Sequence, residues 1–526
     1  MSEQKTFNLV DEPWIPVLMR NGKNRLVSLG EVFADETGDI SDLAINPYER
    51  VAVFRLLLCI AQASFAPNGL ENERAWFDAK RTLSPKATDY LIKWHERFFL
   101  YGPNAFMQVD CLKPGGTIPY TSRLLLQSAH HFGSPLFSRD VDTTGKIPLP
   151  SQSLAVALLA YQNFSASGGT PTCKWKGTAT NQVGAAAAPC RGQSKLFTIL
   201  LGDSLLDSLW MNLLTNSQLR SLRMDLGRPC WEFSFDRCET IENESAGWLG
   251  PINTSSRTAN NPSWLGTLAP LSRFIKLKNG SAECLVCEGF KYPQAPLWRE
   301  PDSSFYYAQD RNGGAQEIRC IRVNPRREPW RDLASILELG TGRGGAIALE
   351  HLTTLSLRHP SIKSFSIWTG GMASNADRDQ DMTVGEWKFS RSIGALRQDA
   401  LSSYQEAIGQ ADHQRTALYR ACRQYALVAK TPDPTANINK QKENELVSAF
   451  SIPAERIYWD LLARPEKQRI LQDMDPITSK DDWKKAVFEA AEEAYKRACP
   501  AMTARQIDAF AQGFSKLTIR EERTNE

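Results

Sequence analysis

The sequence predicts an α+β protein of two domains: a large mixed α/β N-terminal domain, residues 1–380, and a C-terminal antiparallel four-helix bundle, residues 381–526. Short strand-forming runs and helical segments are interspersed over the first part of the chain, whereas from Glu386 onward glycine is rare and long amphipathic stretches follow one another. Short connections between long helices favour an antiparallel bundle. A chain of 526 residues is long enough for two or more domains.

The N-terminal residues predict a β-hairpin. In the segment Phe7–Leu18, FNLVDEPWIPVL, the residues Pro13 and Pro16 fix their own φ angles and disfavour helix at the residues before them. The run Val27–Phe33, VSLGEVF, supplies a second strand beyond the turn RNGKN. Trp14 lies among strand-forming apolar residues, so we expect it to fill a core.

Helices are predicted to follow the hairpin. Apolar residues at helical spacing over residues 46–66 indicate one helix. Residues 71–81 and 84–102 indicate two more, the second with Ser84 as N-cap and Pro85 in its first turn. The remaining expectations are helical periodicity over residues 196–233, strands and irregular structure over 248–330, and C-terminal helices over 391–411, 415–430, 454–465 and 479–499.

Composition sets limits on the class of protein. Hydrophobic residues make up 42% and charged residues 23%, as in soluble globular proteins. The formal net charge of +3 does not indicate nucleic-acid binding by the chain as a whole, although it permits local basic loops. With no secretory signal and no apolar run long enough for a bilayer, a cytoplasmic protein without a membrane partner is expected. Its eleven cysteines are then expected to be mainly reduced thiols.

One motif raises the alternative of an S-adenosylmethionine-dependent methyltransferase. The run ILELGTGRGGA, Ile336–Ala346, resembles the glycine-rich first motif of those enzymes, in which the backbone approaches the ligand. That fold also needs an acidic residue about 20 residues further on, and none occurs between His351 and Ala376. The preceding PWRDLASILEL has helical spacing, so a helix end followed by a loop is the favoured interpretation. We assign no histidine to catalysis.

Cys284 and Cys287 form a CxxC pair, which is half of a structural zinc site. A second pair at suitable spacing is missing, and two packed thiols explain the pattern at least as well. We therefore expect no cofactor, with a structural zinc ion as the alternative.

Two polar, glycine-bearing segments are too long for simple connections. They are residues 138–152 and residues 163–182, and the second carries Lys174, Trp175 and Lys176 next to Gly168-Gly169. Lysines, an aromatic ring and exposed backbone amides suit contact with phosphates and bases. A surface loop without such a role is an equal alternative.

A third segment, Ile367–Asp381, predicts a hairpin. Gly370-Gly371 are expected to form a tight turn, with Ser374 and Asn375 at the tip. Their side chains both donate and accept hydrogen bonds, which suits the minor groove of DNA. A solvated turn is the alternative.

Three motifs in a fixed order resemble one family. LVDEPWIPV at residues 9–17, LLLCIAQASFAPNG at 56–69 and FFLYGPNAFMQVD at 98–110 resemble the large subunit of type I-E Cascade, the CasA family of the CRISPR surveillance complex. The resemblance continues more loosely to the C-terminal helices and so covers most of the chain.

The resemblance implies a fold and a function. The fold is a large N-terminal domain of the family's own topology plus a C-terminal four-helix bundle. The function is not enzymatic: the family recognises the protospacer-adjacent motif in double-stranded DNA from the minor groove, helps to start unwinding and provides a docking surface for the helicase-nuclease. The implied partners are the 5′ handle of the CRISPR RNA, target DNA, the other Cascade subunits and that helicase-nuclease. This matches the division of labour in which protein reads a short motif and base pairing reads the rest.

The resemblance also implies roles for particular residues. It assigns an RNA-handle loop to residues 138–150, a glycine loop at the motif to residues 165–169, a minor-groove lysine to Lys291 and a wedge hairpin to the turn after Gly371. At the hairpin tip some relatives have a glutamine where this chain has Ala376, which cannot hydrogen-bond a base edge. The residues so assigned are Ser138, Arg139, Asp140 and Lys146 for the RNA handle, and Ser165, Ala166, Ser167, Gly168, Gly169, Lys291, Ser374, Asn375 and Ala376 for the DNA motif.

Overall fold

The computed structural model consists of two compact units, Met1–Ser390 and Arg391–Glu526. The predicted boundary at residue 380 falls inside a strand, Arg378–Ser392, and the units divide near the end of that strand. The residues that the structure describes are 5–126, 147–165, 172–175, 177–180, 188–233, 249, 252–253, 257–259, 261–293, 299–308, 317–324, 327–337, 345–358, 363–375, 378–392, 396–430, 439–472 and 479–517.

Helices occur in both units and strands in the first. No helix in the described ranges is both long enough and apolar enough to cross a membrane. The helices are α1 (Leu29–Phe33), α2 (Pro47–Ala63), α3 (Glu73–Trp94), α4 (Ser151–Phe164), α5 (Leu205–Met211), α6 (Asn216–Ser221), α7 (Trp264–Leu268), α8 (Leu333–Ile336), α9 (His351–Arg358), α10 (Gln398–Lys430), α11 (Lys440–Leu462), α12 (Pro465–Gln472), α13 (Ser479–Ala498) and α14 (Ala504–Phe514).

The strands form several small sheets rather than one large one. The three-stranded sheets have the orders β3-β2-β4, β6-β7-β8 and β17-β16-β9, and the pairs are β1-β5, β10-β11, β12-β13 and β14-β15. The strands are β1 (Thr6–Asn8), β2 (Ile15–Met19), β3 (Asn24–Val27), β4 (Ile40–Leu43), β5 (Phe99–Tyr101), β6 (Lys113–Pro114), β7 (Cys173–Trp175), β8 (Thr178–Ala179), β9 (Phe197–Leu201), β10 (Ile252–Asn253), β11 (Thr258–Ala259), β12 (Arg273–Leu277), β13 (Cys284–Glu288), β14 (Phe305–Ala308), β15 (Glu317–Cys320), β16 (Ser364–Asn375) and β17 (Arg378–Ser392).

The predicted N-terminal hairpin is confirmed, but its second strand was predicted too late in the chain. Strand β2 pairs antiparallel with β3, and residues 29–33 form helix α1 instead of a strand. The cause is a capping box, in which Ser28 Oγ accepts from the Glu31 backbone N–H while the Glu31 carboxylate accepts from Ser28 N–H. Trp14 is fully buried, as predicted, and its Nε1–H donates to the Leu9 carbonyl at 3.0 Å.

The helix predicted after the hairpin is confirmed as α2, but the two helices predicted next are one helix, α3, with Pro85 inside it. The helical prediction also runs too far, because α3 ends at Trp94 and Phe99–Tyr101 is strand β5. Its apolar residues keep one buried face on both sides of the proline, and Asn72 caps its first turn. Packing of that continuous face therefore outweighs the hydrogen bond that Pro85 cannot donate. The helical prediction for residues 196–233 is wrong at its start, because Phe197–Leu201 is strand β9 in the sheet with β16.

The C-terminal unit is a four-helix bundle, as predicted, but its fourth helix, α14, was not among the predicted segments. The two segments predicted at 391–411 and 415–430 are one helix, α10, which begins at Gln398, while Arg391 and Ser392 end strand β17. In the first half of α10 the Ala411 carbonyl accepts from Tyr458 near the end of α11, and Arg423 in the second half of α10 pairs with Glu443 near the start of α11. Helices α10 and α11 therefore run antiparallel.

Helices α13 and α14 complete the bundle. Trp483 near the start of α13 donates to the Ala407 carbonyl near the start of α10 at 2.8 Å, so these two helices point the same way. Arg505 at the start of α14 donates to the Val428 carbonyl at the end of α10, also at 2.8 Å. Helix α14 therefore runs antiparallel to α10, and successive long helices alternate in direction.

Candidate nucleic-acid interface

Lys291 lies in a small cluster of charged residues. It lies three residues after the end of β13, and its Nζ lies 3.2 Å from the carboxylate of Glu288, whose side chain is 5% exposed. Arg257 approaches the same carboxylate, with Nη2 at 3.7 Å from Oε2. The two cations also share backbone bonds, because Lys291 N–H donates to the Arg257 carbonyl at 2.9 Å. Lys291 is thus held at both its backbone and its ammonium group.

An aromatic platform lies beside these cations. The ring of Trp175, at the end of β7, stacks on Phe274 of β12 with centroids 4.8 Å apart. The guanidinium carbon of Arg257 lies 5.7 Å from the Trp175 ring centroid and 5.4 Å from that of Phe274. Such cation–π contacts orient a guanidinium group. The structure therefore brings the Lys174-Trp175 segment and Lys291, which are far apart in sequence, to one place.

Arg257 is a residue that sequence reasoning missed. It lies directly before β11 with a φ angle of 52°, in the left-handed region that a non-glycine residue seldom adopts. Nothing in NTSSRTANNP sets this arginine apart, because the pattern of that segment is that of an ordinary polar loop. Its position next to Lys291 depends on the pairing of Thr258 with Lys291.

Cys284 and Cys287 lie on strand β13 and are both buried. Cys287 contacts the thiol of Cys173 on β7, and their hydrogen bond keeps the Cys287 pKa above its ordinary value. Among the residues whose placement is described, no group of three His, Cys, Asp or Glu side chains converges as metal ligands would. Two cysteines do not complete the four-ligand set of a structural zinc site, so we derive no function from zinc.

The predicted hairpin is formed by β16 and β17. Gly370 and Gly371 lie within β16, so the tight turn predicted there is wrong. They permit close approach of strands: a Cβ on Gly370 would lie 2.7 Å from the Gly385 carbonyl oxygen. Strand β16 ends at Asn375, and β17 begins at Arg378. Asn375 is therefore next to the turn, as predicted.

The hairpin extends beyond its sheet. Pairing with β9 covers Ser366 to Gly370, while β16 continues to Asn375. Gly371 and Met372 are still buried, so the three residues beyond them correspond to roughly 10 Å of strand at about 3.3 Å per residue. The distal part of the hairpin is thus a two-stranded ribbon, with Asn375 at its end.

The base of the hairpin is anchored to the core. Trp368 of β16 is fully buried, and its Nε1–H donates to the Glu386 carboxylate of β17 at 2.6 Å. Arg50 of α2 lies over the Trp368 ring and bonds to Asp42. Lys388 of β17 also pairs with Asp42, at 2.9 Å. These contacts fix the direction in which the ribbon leaves the unit.

A groove of about 730 Å³, lined by three arginines and two carboxylates, flanks the hairpin. Its lining includes Arg319, Arg322 and Arg327. Arg327 forms a two-pronged ion pair with Asp332, whereas Arg322 is exposed. A Cβ on Gly371 of β16 would lie 3.2 Å from the Val323 side chain, which places the groove beside the ribbon.

Several predicted site residues cannot be compared with the structure. Ser165 is described, and it is buried at the end of α4. The backbones of Ser374 and Asn375 are described, but not their side chains. The predicted residues that lie outside the described ranges are Ser138, Arg139, Asp140, Lys146, Ala166, Ser167, Gly168, Gly169 and Ala376.

The glycine-rich motif lies mostly outside the described residues, but the segment that leads into it is described. Pro329–Asp332 is a 3₁₀ helix that leads directly into α8, Leu333–Ile336. The helical interpretation of this segment is confirmed. A methyltransferase motif would require a strand at this point.

The family of the chain follows from comparison with known proteins. A family profile described as CRISPR-associated protein Cse1 matches residues 8–494. The match extends over nearly the whole chain, so the protein belongs to the Cse1 family. A CRISPR-associated protein CasA/Cse1 of Thermus thermophilus is 26% identical over 528 residues, which cover 98% of this chain and 97% of the relative.

Solved structures have a similar fold. Thermus thermophilus CasA (Cse1) aligns with a TM-score of 0.73 and 21% identity, covering 98% of each chain. Cse1 from Acidimicrobium ferrooxidans aligns with a TM-score of 0.72 and 19% identity, covering 97% of this chain and 96% of that one. A chain of a structure described as a CRISPR RNA-guided surveillance complex aligns with a TM-score of 0.66 and 16% identity, covering 98% of this chain and 100% of that one.

Proposed function

We propose that this chain is a non-catalytic, cytoplasmic subunit of a type I-E CRISPR surveillance complex that recognises the protospacer-adjacent motif in double-stranded DNA. It promotes unwinding of the target beside the motif and provides a docking surface for the helicase-nuclease. Membership of the Cse1 family supports this function. The similarity to a chain of a CRISPR RNA-guided surveillance complex supports its assembly with CRISPR RNA and other subunits.

The observation that carries the proposal is the ribbon of β16 and β17. The turn of a two-stranded ribbon that extends beyond its sheet can reach into a DNA groove, and the anchored base of the ribbon resists displacement when the duplex opens. Asn375 at its end has an amide that can donate to and accept from base edges in the minor groove. Because the amide carries no charge, it can contribute to recognition of the motif without adding to the electrostatic attraction to phosphates.

The other residues act around this ribbon. Lys291 enters the minor groove or contacts its phosphates, and residues 165–169 form a loop whose backbone approaches the motif. The loop of residues 138–150, with Arg139 and Lys146, binds the 5′ handle of the CRISPR RNA. The exposed Arg322 in the flanking groove is suited to the displaced strand.

The test is Asn375→Ala in the assembled complex. We expect the affinity ratio between targets with and without the correct motif to narrow by about 1–3 kcal/mol, the usual worth of one base contact. Non-specific affinity and its salt dependence should stay unchanged, because the amide carries no charge. The measurement is binding to both duplexes over a range of salt concentrations.

Asn21→Ala is the matched control. Asn21 lies in the exposed turn between β2 and β3, so the same side chain is removed from a different hairpin tip. This variant should discriminate between targets with and without the correct motif as well as wild type does. If Asn375→Ala also discriminates as well as wild type, the reading residue lies elsewhere. Failure of the wild-type chain to copurify with CRISPR RNA and other Cascade subunits would contradict the proposed function itself.

A further inference from the structure

Glu288 is a buried carboxylate that faces several cations. Lys291 and Arg257 lie at 3.2 and 3.7 Å from its two oxygens, and Arg273 lies opposite it on the neighbouring strand β12. Burial lowers the pKa of Arg273, and the Glu288 charge acts against that shift. A carboxylate that is 5% exposed needs such partners, because an unpaired buried charge is costly.

The two outer cations are only partly covered. Side-chain exposure is 22% for Lys291 and 16% for Arg257, so part of each reaches the surface. Arg257 Nη1–H also donates to the Glu288 backbone carbonyl at 3.4 Å. One carboxylate thus orients two cations at one surface, while the aromatic platform of Trp175 and Phe274 fixes the plane of the arginine.

We propose that Arg257 is a second DNA-contacting cation of the surface that holds Lys291, and that Glu288 is the positioning residue for both. The ligand is the phosphodiester backbone of the duplex at the motif, so the inference rests on the proposed function. Two cations held at a fixed distance from each other can contact neighbouring phosphates when the duplex lies in one register on the protein. A carboxylate between them reduces the net attraction to any other register.

The test uses the assembled complex with Arg257→Ala and Glu288→Gln. Arg257→Ala removes one phosphate contact. It should weaken binding to targets with and without the motif, and it should lower the slope of log affinity against log salt by about one. Glu288→Gln removes a negative charge and releases both cations. It should leave non-specific affinity equal or higher, while the ratio between correct and wrong motifs falls about fivefold or more.

If Glu288 positions the two cations, Glu288→Gln should lower discrimination without lowering non-specific affinity, and a merely structural role would not give this result. Loss of folding would weaken all binding and lower the melting temperature, but it would not raise non-specific affinity. Glu288→Gln also removes the negative charge that faces Arg273, which gives that variant a separate cause of instability. Arg257→Ala avoids this, because Glu288 keeps both Lys291 and Arg273. Arg257→Lys keeps the charge without the planar stack and should keep the salt slope.

Two control variants match the charge changes. Glu283→Gln removes an exposed carboxylate just before β13, and Arg81→Ala removes an arginine whose side chain is 84% exposed on α3. Both should bind and discriminate as wild type does. The inference is overturned if Arg257→Ala keeps the wild-type affinity and salt slope, or if Glu288→Gln discriminates as wild type does. A wild-type complex that does not discriminate at all would instead contradict the proposed function.

Discussion

His351 lies against a pair of stacked tryptophans in the N-terminal unit. Its ring stacks on Trp76 with centroids 4.0 Å apart, and Trp76 also stacks on Trp210 at 4.5 Å. A hydrogen bond of 2.8 Å joins His351 Nε2 to the Leu213 carbonyl, which makes Nε2–H the donor. Burial lowers the pKa of His351 to about 4, so the ring stays neutral in the folded protein. This histidine therefore belongs to the core rather than to a site.

The His351 pKa predicts a dependence of stability on pH. Between its ordinary pKa of 6.5 and its folded pKa of about 4, the unfolded chain binds a proton that the folded chain does not. The free energy of unfolding should therefore fall as pH falls from 6.5 to 4, by about 3 kcal/mol in total, and this contribution should then level off. Urea unfolding of wild type and His351→Gln at about pH 7.5 and about pH 4.5 measures it.

The variant should lose this part of the pH dependence while other groups titrate alike in both proteins. His413→Gln removes an exposed histidine and should behave as wild type. If the free energy of unfolding depends on pH equally in wild type and His351→Gln, folding leaves the pKa of His351 unchanged.

At the scale of the element, glycine has opposite effects in a strand and in a helix. A Cβ on Gly370 of β16 would lie 2.5 Å from the buried Trp368 ring and 2.7 Å from the Gly385 carbonyl oxygen. That ring cannot easily move, because Glu386 and Arg50 hold it. A Cβ on Gly409 of α10 would meet no atom within 4 Å. The first glycine is therefore required by packing, and the second is not.

These contacts predict that replacement of glycine by alanine changes the free energy of unfolding in opposite directions at the two positions. Gly370→Ala should destabilise the protein by about 1–3 kcal/mol, because the added methyl group overpacks the hairpin base. Gly409→Ala should stabilise it by about 0.5–1 kcal/mol, because alanine loses less backbone entropy in a helix. Thermal unfolding of the two variants beside wild type measures the shifts. A neutral Gly370→Ala would mean that the strands can separate at little cost.

At the scale of the whole molecule, the C-terminal unit has a core of its own. Trp483, Tyr458 and Tyr495 are fully buried, and each donates a hydrogen bond to a backbone carbonyl within the same unit. The buried aromatic residues of the unit also contact one another, as Tyr425 does with Tyr495. A unit whose large buried side chains bond and pack with one another can fold by itself.

We therefore expect residues 391–526 to fold when produced alone. The product should give a helical circular dichroism spectrum and one cooperative thermal transition. A matched product that ends at residue 502 lacks α14 and the Phe510 carbonyl that accepts from Tyr495, so it should melt at a lower temperature. Non-cooperative melting of the longer product would show that the helical unit depends on the rest of the chain.

The sequence by itself determined those features that depend on local pattern. The periodicity of apolar residues predicted α2 and α13, and the prolines around Trp14 with the turn RNGKN predicted the β2-β3 hairpin. Local pattern also predicted a hairpin with Asn375 near its tip, although it placed the turn at Gly370-Gly371, which lie within β16. The sequence predicts these features correctly because neighbouring residues determine them independently of the rest of the chain.

Only the tertiary structure decided the rest. Helix α3 continues through Pro85 because its buried face packs along its whole length, and Gly370 lies in a strand because β9 pairs with it. Arg257 reaches Lys291 through strand pairing across a separation in sequence that no periodic pattern records. Contacts between distant segments form only where both find burial and hydrogen bonds together, and this depends on the whole chain rather than on either segment.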